Sequence, residues 1–168
     1  MPEITSPPWE TIREFVEAKD ATGLDNFLDN LSPGDIARAF SRLDEEERNA
    51  VLHLLEPEDA ADLLEEMADT QGADIIEDLP VHAAASIIEE MESDHRADIL
   101  GKLDEEDAEA ILNQMDPEEA KDARELLRYD SETAGGIMVT EYFVYPDSAT
   151  VAEVQEDLRR KSETHPDT

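Results

Sequence analysis

The chain has 168 residues, 46 acidic against 13 basic, a formal net charge of −33 and a pI near 4.1. A surface so acidic is a poor partner for nucleic acid or anionic lipid, which are bound through clustered Lys and Arg. Cysteine is absent, excluding disulfides and thiolate metal sites, and no stretch approaches the roughly 20 apolar residues of a membrane span; the chain reads as soluble, without inserting into a bilayer.

In chain order, Met1 to Pro8 holds neither the basic segment nor the apolar run of a signal peptide. Trp9, Ile12, Phe15 and Val16 then mark one face of an amphipathic helix ending near Ala18, with Trp9 as a core anchor. Leu24, Phe27, Leu28 and Leu31 predict a second, short helix. From Leu31 onward a repeat sets in. Leu31, Leu43, Leu55, Met67, Leu79, Met91, Leu103, Met115 and Leu127 recur every twelve residues. Most units between them read small–x–x–apolar–apolar, as in Ala84, Ile87, Ile88 and Met91, which is one face of a helix of about nine residues. One continuous helix would rotate that face by roughly 120° per unit, so each unit is its own helix followed by a turn.

Ser32-Pro33, Asp44, Asp104 and Asp116-Pro117 sit where N-caps are needed, and Asp44/Glu47 and Asp116/Glu119 have capping-box spacing. Pro57 and Pro80 mark two further starts, although Glu56 is a poor cap. Ala61, Ala73, Ala85 and Ala97 share a position where small side chains let neighbouring helices approach. Helices this short are unstable alone, so the units must stack into an all-α solenoid. The pattern weakens at Ala123-Arg124, which predicts a capping unit or a longer exit helix.

The acidity has two readings: a solvated surface, perhaps adapted to a salty cytoplasm given only four lysines, or binding of divalent cations. Asp62, Asp74, Asp98 and Asp122 hold one repeat position, and Asp94 precedes Asp98 by one helical turn. Two carboxylates so placed repel by on the order of 1 kcal/mol, which a shared hard cation such as Mg²⁺ or Ca²⁺ reverses. No EF-hand loop is present, and His53, His82, His95 and His165 form no zinc-type spacing. Glu65-Glu66 and Glu89-Glu90 read as solvated helix faces, and His95 as solvated surface beside Asp94. With no nucleophile–base pair, phosphate loop or cofactor motif, the sequence does not read as an enzyme.

After Tyr129 the helical period stops. Residues 1–129 form the helical domain and 130–136 a linker, whose Gly135-Gly136 permits tight turns. Residues 137–168 predict one strand, around Tyr142 to Tyr145, and one helix carrying Val151, Val154 and Leu158, capped by Ser148 or Thr150. One strand and one helix cannot close a core, so this segment reads as the opening of a second domain.

The acidic short-helix repeat followed by Tyr129-Asp130-Ser131-Glu132-Thr133-Ala134-Gly135-Gly136-Ile137-Met138-Val139-Thr140 resembles the cytosolic N-terminal region of the MgtE family of magnesium transporters and channels. Val139 departs from the threonine usual there. The resemblance implies a right-handed superhelix leading into an α/β CBS module, here incomplete, with further CBS modules and a dimeric membrane pore in the parent. It implies Mg²⁺ as ligand, with Asp62, Asp94 and Asp98 as acidic ligands and Gly136 offering a backbone carbonyl. Mg²⁺ would then hold the cytosolic part compact and the pore closed, at the cytoplasmic face of the bacterial inner membrane. The missing CBS ligands imply weak binding here, and a monomeric chain from a homodimeric parent. The alternative is a protein-binding scaffold, since the N-terminal part of the flagellar motor switch protein has a similar superhelix.

Overall fold

The computed structural model of the chain describes residues 6–129, 133–135, 137–140 and 143–162. The chain divides into two compact units, Met1–Met138 and Val139–Thr168.

Ten helices occupy the described part of the first unit. They are α1 (Pro8–Ala18), α2 (Ala21–Leu28), α3 (Pro33–Phe40), α4 (Glu45–Leu54), α5 (Pro57–Glu65), α6 (Asp69–Glu77), α7 (Val81–Glu90), α8 (Ser93–Leu100), α9 (Glu105–Leu112) and α10 (Pro117–Leu126). From α3 onward one helix falls in each twelve-residue unit, as the repeat predicts. Local chemistry starts them. The Ser32 hydroxyl accepts from the Asp35 N–H at 3.2 Å. Asp44 and Glu47 close a reciprocal capping box, each side chain accepting at 2.9 Å from the other's N–H. Asp116 caps through the Glu118 N–H, whereas Asp104 and Glu56 make no cap bond. Acidic residues crowd the first turns of α4 and α9, where the helix dipole favours them, so part of the negative charge serves helix starts.

Stacking supplies what these short helices lack alone. Alternate helices pack: α5 on α7, α6 on α8, α7 on α9 and α8 on α10. The repeat residues Leu43, Leu55, Met67, Leu79, Met91, Leu103 and Met115 are all buried in one core cluster running from Ile12 to Ala123. Ala61, Ala73, Ala85 and Ala97 are buried beside them, where a larger side chain would push neighbouring helices apart. Each fully buried Leu or Ile contributes about 1.5–3 kcal/mol. At the N-terminal end α1 packs on α2, α3 and α4. Trp9 lies against the core with the Arg42 guanidinium 5.7 Å above its ring, so it anchors this end as its spacing suggested.

Gly135 has a steric reason rather than a conformational one. No described glycine has positive φ, but a Cβ at Gly135 would meet the Tyr129 ring at 2.4 Å. The residue therefore lets the junction fold against Tyr129.

The second unit contains α11 (Val151–Ser162), started by a Thr150/Glu153 box in which Thr150 N donates to Glu153 Oε2 at 2.8 Å. The Tyr145 hydroxyl donates to Asp157 Oδ2 at 3.0 Å. Val151 is 74 % exposed, so among the described residues this unit closes no apolar core. The strand expected around Tyr142–Tyr145 is a difference between sequence and structure. Phe143–Tyr145 form no strand, and Tyr142 lies outside the described residues. A strand exists through its ladder partner, and no described segment pairs with this one.

Candidate functional site

The expected ligands centre on α8, a helix with one thoroughly buried side. Ser93, Arg96, Ala97, Ile99 and Leu100 are all buried, packed towards α6 and α10. Arg96 is only 4 % exposed and ties the helix down. Its Nε donates to the Ile88 carbonyl at 3.0 Å, its Nη2 to those of Glu89 and Met91 at 2.8 and 2.9 Å, and its Nη1 pairs with Glu119. These carbonyls end α7, where backbone carbonyls run short of intrahelical donors. What remains of α8 for solvent is the side bearing Asp94, His95 and Asp98.

Asp94 and Asp98 project one turn apart, as spacing predicts. Burial, then the neighbouring charge of Asp69 on α6, pushes the Asp98 carboxyl above the usual carboxylate range; Asp94 adds to this, while Lys102 and His95 oppose it. Asp94 Oδ1 accepts from the His95 N–H at 2.9 Å. Ligand atoms of Glu92, Asp94 and His95 lie within 4.8 Å of one another, the one such group among the described residues. Asp62 is exposed on α5 and belongs to that helix's groove-facing side rather than to this group. Gly136 lies outside the described residues. The structure thus joins Asp94 and Asp98 in one acidic surface, with Asp62 approaching through Glu65.

Glu65 is the link, and it is not a solvated face. Its side chain is 17 % exposed, Oε1 accepts from the Glu92 N–H at 2.7 Å, and His95 Nδ1 stands 3.8 Å away. Burial raises its carboxyl above the ordinary 4.5, with Glu92 and Asp62 adding to the rise; the Glu92 N–H and His95 oppose it. Glu89 repeats the device two units later, its carboxylate accepting from the Asp116 N–H. Each glutamate thus holds the start of a helix three places further along, α8 for Glu65 and α10 for Glu89. Glu66 and Glu90 are exposed, as expected. His95 is only partly solvated, its Nδ1 buried without a hydrogen-bond partner. Sequence reasoning missed Asp69 and Glu65 as neighbours of the site. The fixed spacing of the repeat could have suggested them, since Asp69 opens the helix that packs on α8.

The MgtE intracellular N domain model matches residues 31–132, well over half of the chain. The chain belongs to the MgtE intracellular N domain family. It is similar to the soluble part of a magnesium transporter, at 25 % identity and a TM-score of 0.77, over 93 % of this chain and 62 % of that one. It is also similar to the cytosolic domain of the Mg²⁺ channel MgtE solved in complex with ATP, at 29 % identity and a TM-score of 0.75, over 92 % of this chain and 64 % of that one. The chain therefore spans less than two thirds of either structure. No curated protein sequence matches it. The family and both structures belong to magnesium transport proteins, not enzymes. No helix among the described residues is long and apolar enough to cross a membrane.

Proposed function

We propose that this chain is the Mg²⁺-sensing regulatory domain of a magnesium transporter or channel. In this reading it lies at the cytoplasmic face of the bacterial inner membrane, attached to CBS modules and a homodimeric pore. The observation that carries the reading is the carboxylate surface of α8: Asp94 and Asp98 on one turn, with Asp69 from α6 raising Asp98. The donor set suits the ion. All three offer hard oxygen ligands, which Mg²⁺ prefers, and Mg²⁺ needs only one or two carboxylates, keeping water for its other positions. The family resemblance adds Asp62 and the Gly136 carbonyl to the same donor set.

The mechanism is electrostatic. Without a divalent ion, like charges on α6 and α8 repel at close range, loosening the packing against whatever lies beyond them. A bound Mg²⁺ neutralises them and holds the compact, closed arrangement. Loss of intracellular Mg²⁺ restores the repulsion and frees the pore to open. Because α8 is held by Arg96 and a buried apolar side, the carboxylates cannot simply swing apart. The rigid helix converts ion loss into displacement of a whole element.

Titrating MgCl₂ into the chain while following thermal unfolding tests this, with NaCl of equal ionic strength as control. Wild type should gain stability at millimolar Mg²⁺ beyond the NaCl effect, and Asp94→Asn/Asp98→Asn should lose most of that gain. Equal gains in both proteins would refute the assignment.

A further inference from the structure

The first half of the solenoid carries a groove that meets the proposed Mg²⁺ surface at one edge but is lined mostly by residues outside it. A groove of about 660 Å³ runs between α2 and α5. Asp25 and Asp29 stand on one wall and Asp59 on the other, with Leu31, Pro33 and Leu63 among the apolar lining. No Lys or Arg is among its described lining residues. The walls face each other closely enough to interact. Burial raises the Asp25 carboxyl, and the charges of Asp59 across the groove and Asp29 beside it raise it further. Pro33 is exposed and Leu31 partly so, leaving apolar surface between two acidic walls.

We propose that this groove docks a cationic amphipathic helix of a partner protein, its Lys or Arg side chains on the acidic walls and its apolar residues against Leu31 and Pro33. The chemistry narrows the occupant. An anionic ligand is repelled by both walls. A bare metal ion gains nothing from the apolar surface and needs far less room. The volume falls within the roughly 300–1,000 Å³ of clefts that enclose a ligand, enough for the side chains of about two helical turns. Charge complementarity across such a groove speeds encounter and selects partners of opposite sign. Asp62, Glu65 and His95 border both this groove and the surface around the proposed Mg²⁺ ligands, but docking requires no ion.

The test is fluorescence anisotropy in EDTA with a labelled peptide of about 12 residues, Leu and Lys at helical i, i+3, i+4 spacing. A scrambled peptide of identical composition is the comparison, because a chain of net charge −33 attracts any polycation. Asp25→Asn/Asp29→Asn/Asp59→Asn should weaken binding about tenfold or more. Glu105→Gln/Glu106→Gln/Asp107→Asn removes equal charge from the first turn of α9, outside the groove, and should change binding by about twofold or less. The amphipathic peptide should also bind more tightly than the scrambled one. Equal losses in the two triple variants, or equal affinity for the two peptides, would overturn the proposal. Asp59→Asn alone, with its fold checked by circular dichroism, repeats the test should the triple variant not fold: no weakening counts against the groove. Chelation separates this outcome from any failure of the Mg²⁺ reading.

Discussion

Replacing Arg96 by alanine sets two lines of reasoning against each other. Arg96 occupies the repeat position filled by Ala60, Ala84, Ala108 and Ala120, so a repeat consensus names alanine as the stabilising choice there. The structure says the opposite. The guanidinium satisfies the carbonyls of Ile88, Glu89 and Met91 at the end of α7. Ile88 O also accepts from the Met91 N–H at 3.3 Å, so the loss falls mainly on Glu89 and Met91. A buried carbonyl left without a donor costs about 1–3 kcal/mol. Loss of the packed aliphatic stem adds to this, giving a total of about 3–5 kcal/mol, in line with breaking a buried charge network. For a chain of this size that lowers Tm by roughly 6–20 °C. Urea unfolding followed by circular dichroism should rank wild type above Arg96→Lys, then Arg96→Met, which keeps the stem but no donor, then Arg96→Ala. Glu119→Gln should cost about 1 kcal/mol or less, since that carboxylate is 49 % exposed. An alanine variant as stable as wild type would refute the argument and vindicate the consensus.

Glu65→Gln keeps the acceptor for the Glu92 N–H but removes a charge that burial penalises. Because the folded-state pKa lies above the ordinary 4.5, the native state is favoured fully below that value and loses this contribution as pH rises through the folded pKa. The variant should therefore gain about 1 kcal/mol, or roughly 2–4 °C in Tm, near neutral pH. That gain should vanish as pH falls towards 4.5 in thermal scans, and a gain independent of pH would disprove the electrostatic cause. Lys19 ends α1 in the left-handed region, at φ 55° and ψ 39°, its N–H donating to Phe15 and Val16. Glycine adopts this conformation without Cβ strain, so Lys19→Gly should stabilise by about 0.5–1 kcal/mol after its greater unfolded-state entropy is counted. Denaturant midpoints check this, and a lower midpoint contradicts it.

The helices were legible in the sequence because the forces that start and stop them are local. Ser32, Asp44 and Asp116 cap through neighbours two or three residues on, and the apolar spacing within one unit already defines the face each helix buries. The Asp94–Asp98 pair was legible for the same reason, since one helical turn separates the two. Tertiary structure alone decided what crosses between units. The turn angles that bring α6 onto α8, and the start of α8 against Glu65, arise from packing of residues more than twenty positions apart. Only that packing sets Asp69 against Asp98, turns Arg96 from a charged repeat error into the cap of α7, and faces Asp25 with Asp59 across a groove. A periodic pattern names which residues go inside; the rotation between successive short helices, which it does not encode, determines which charges meet.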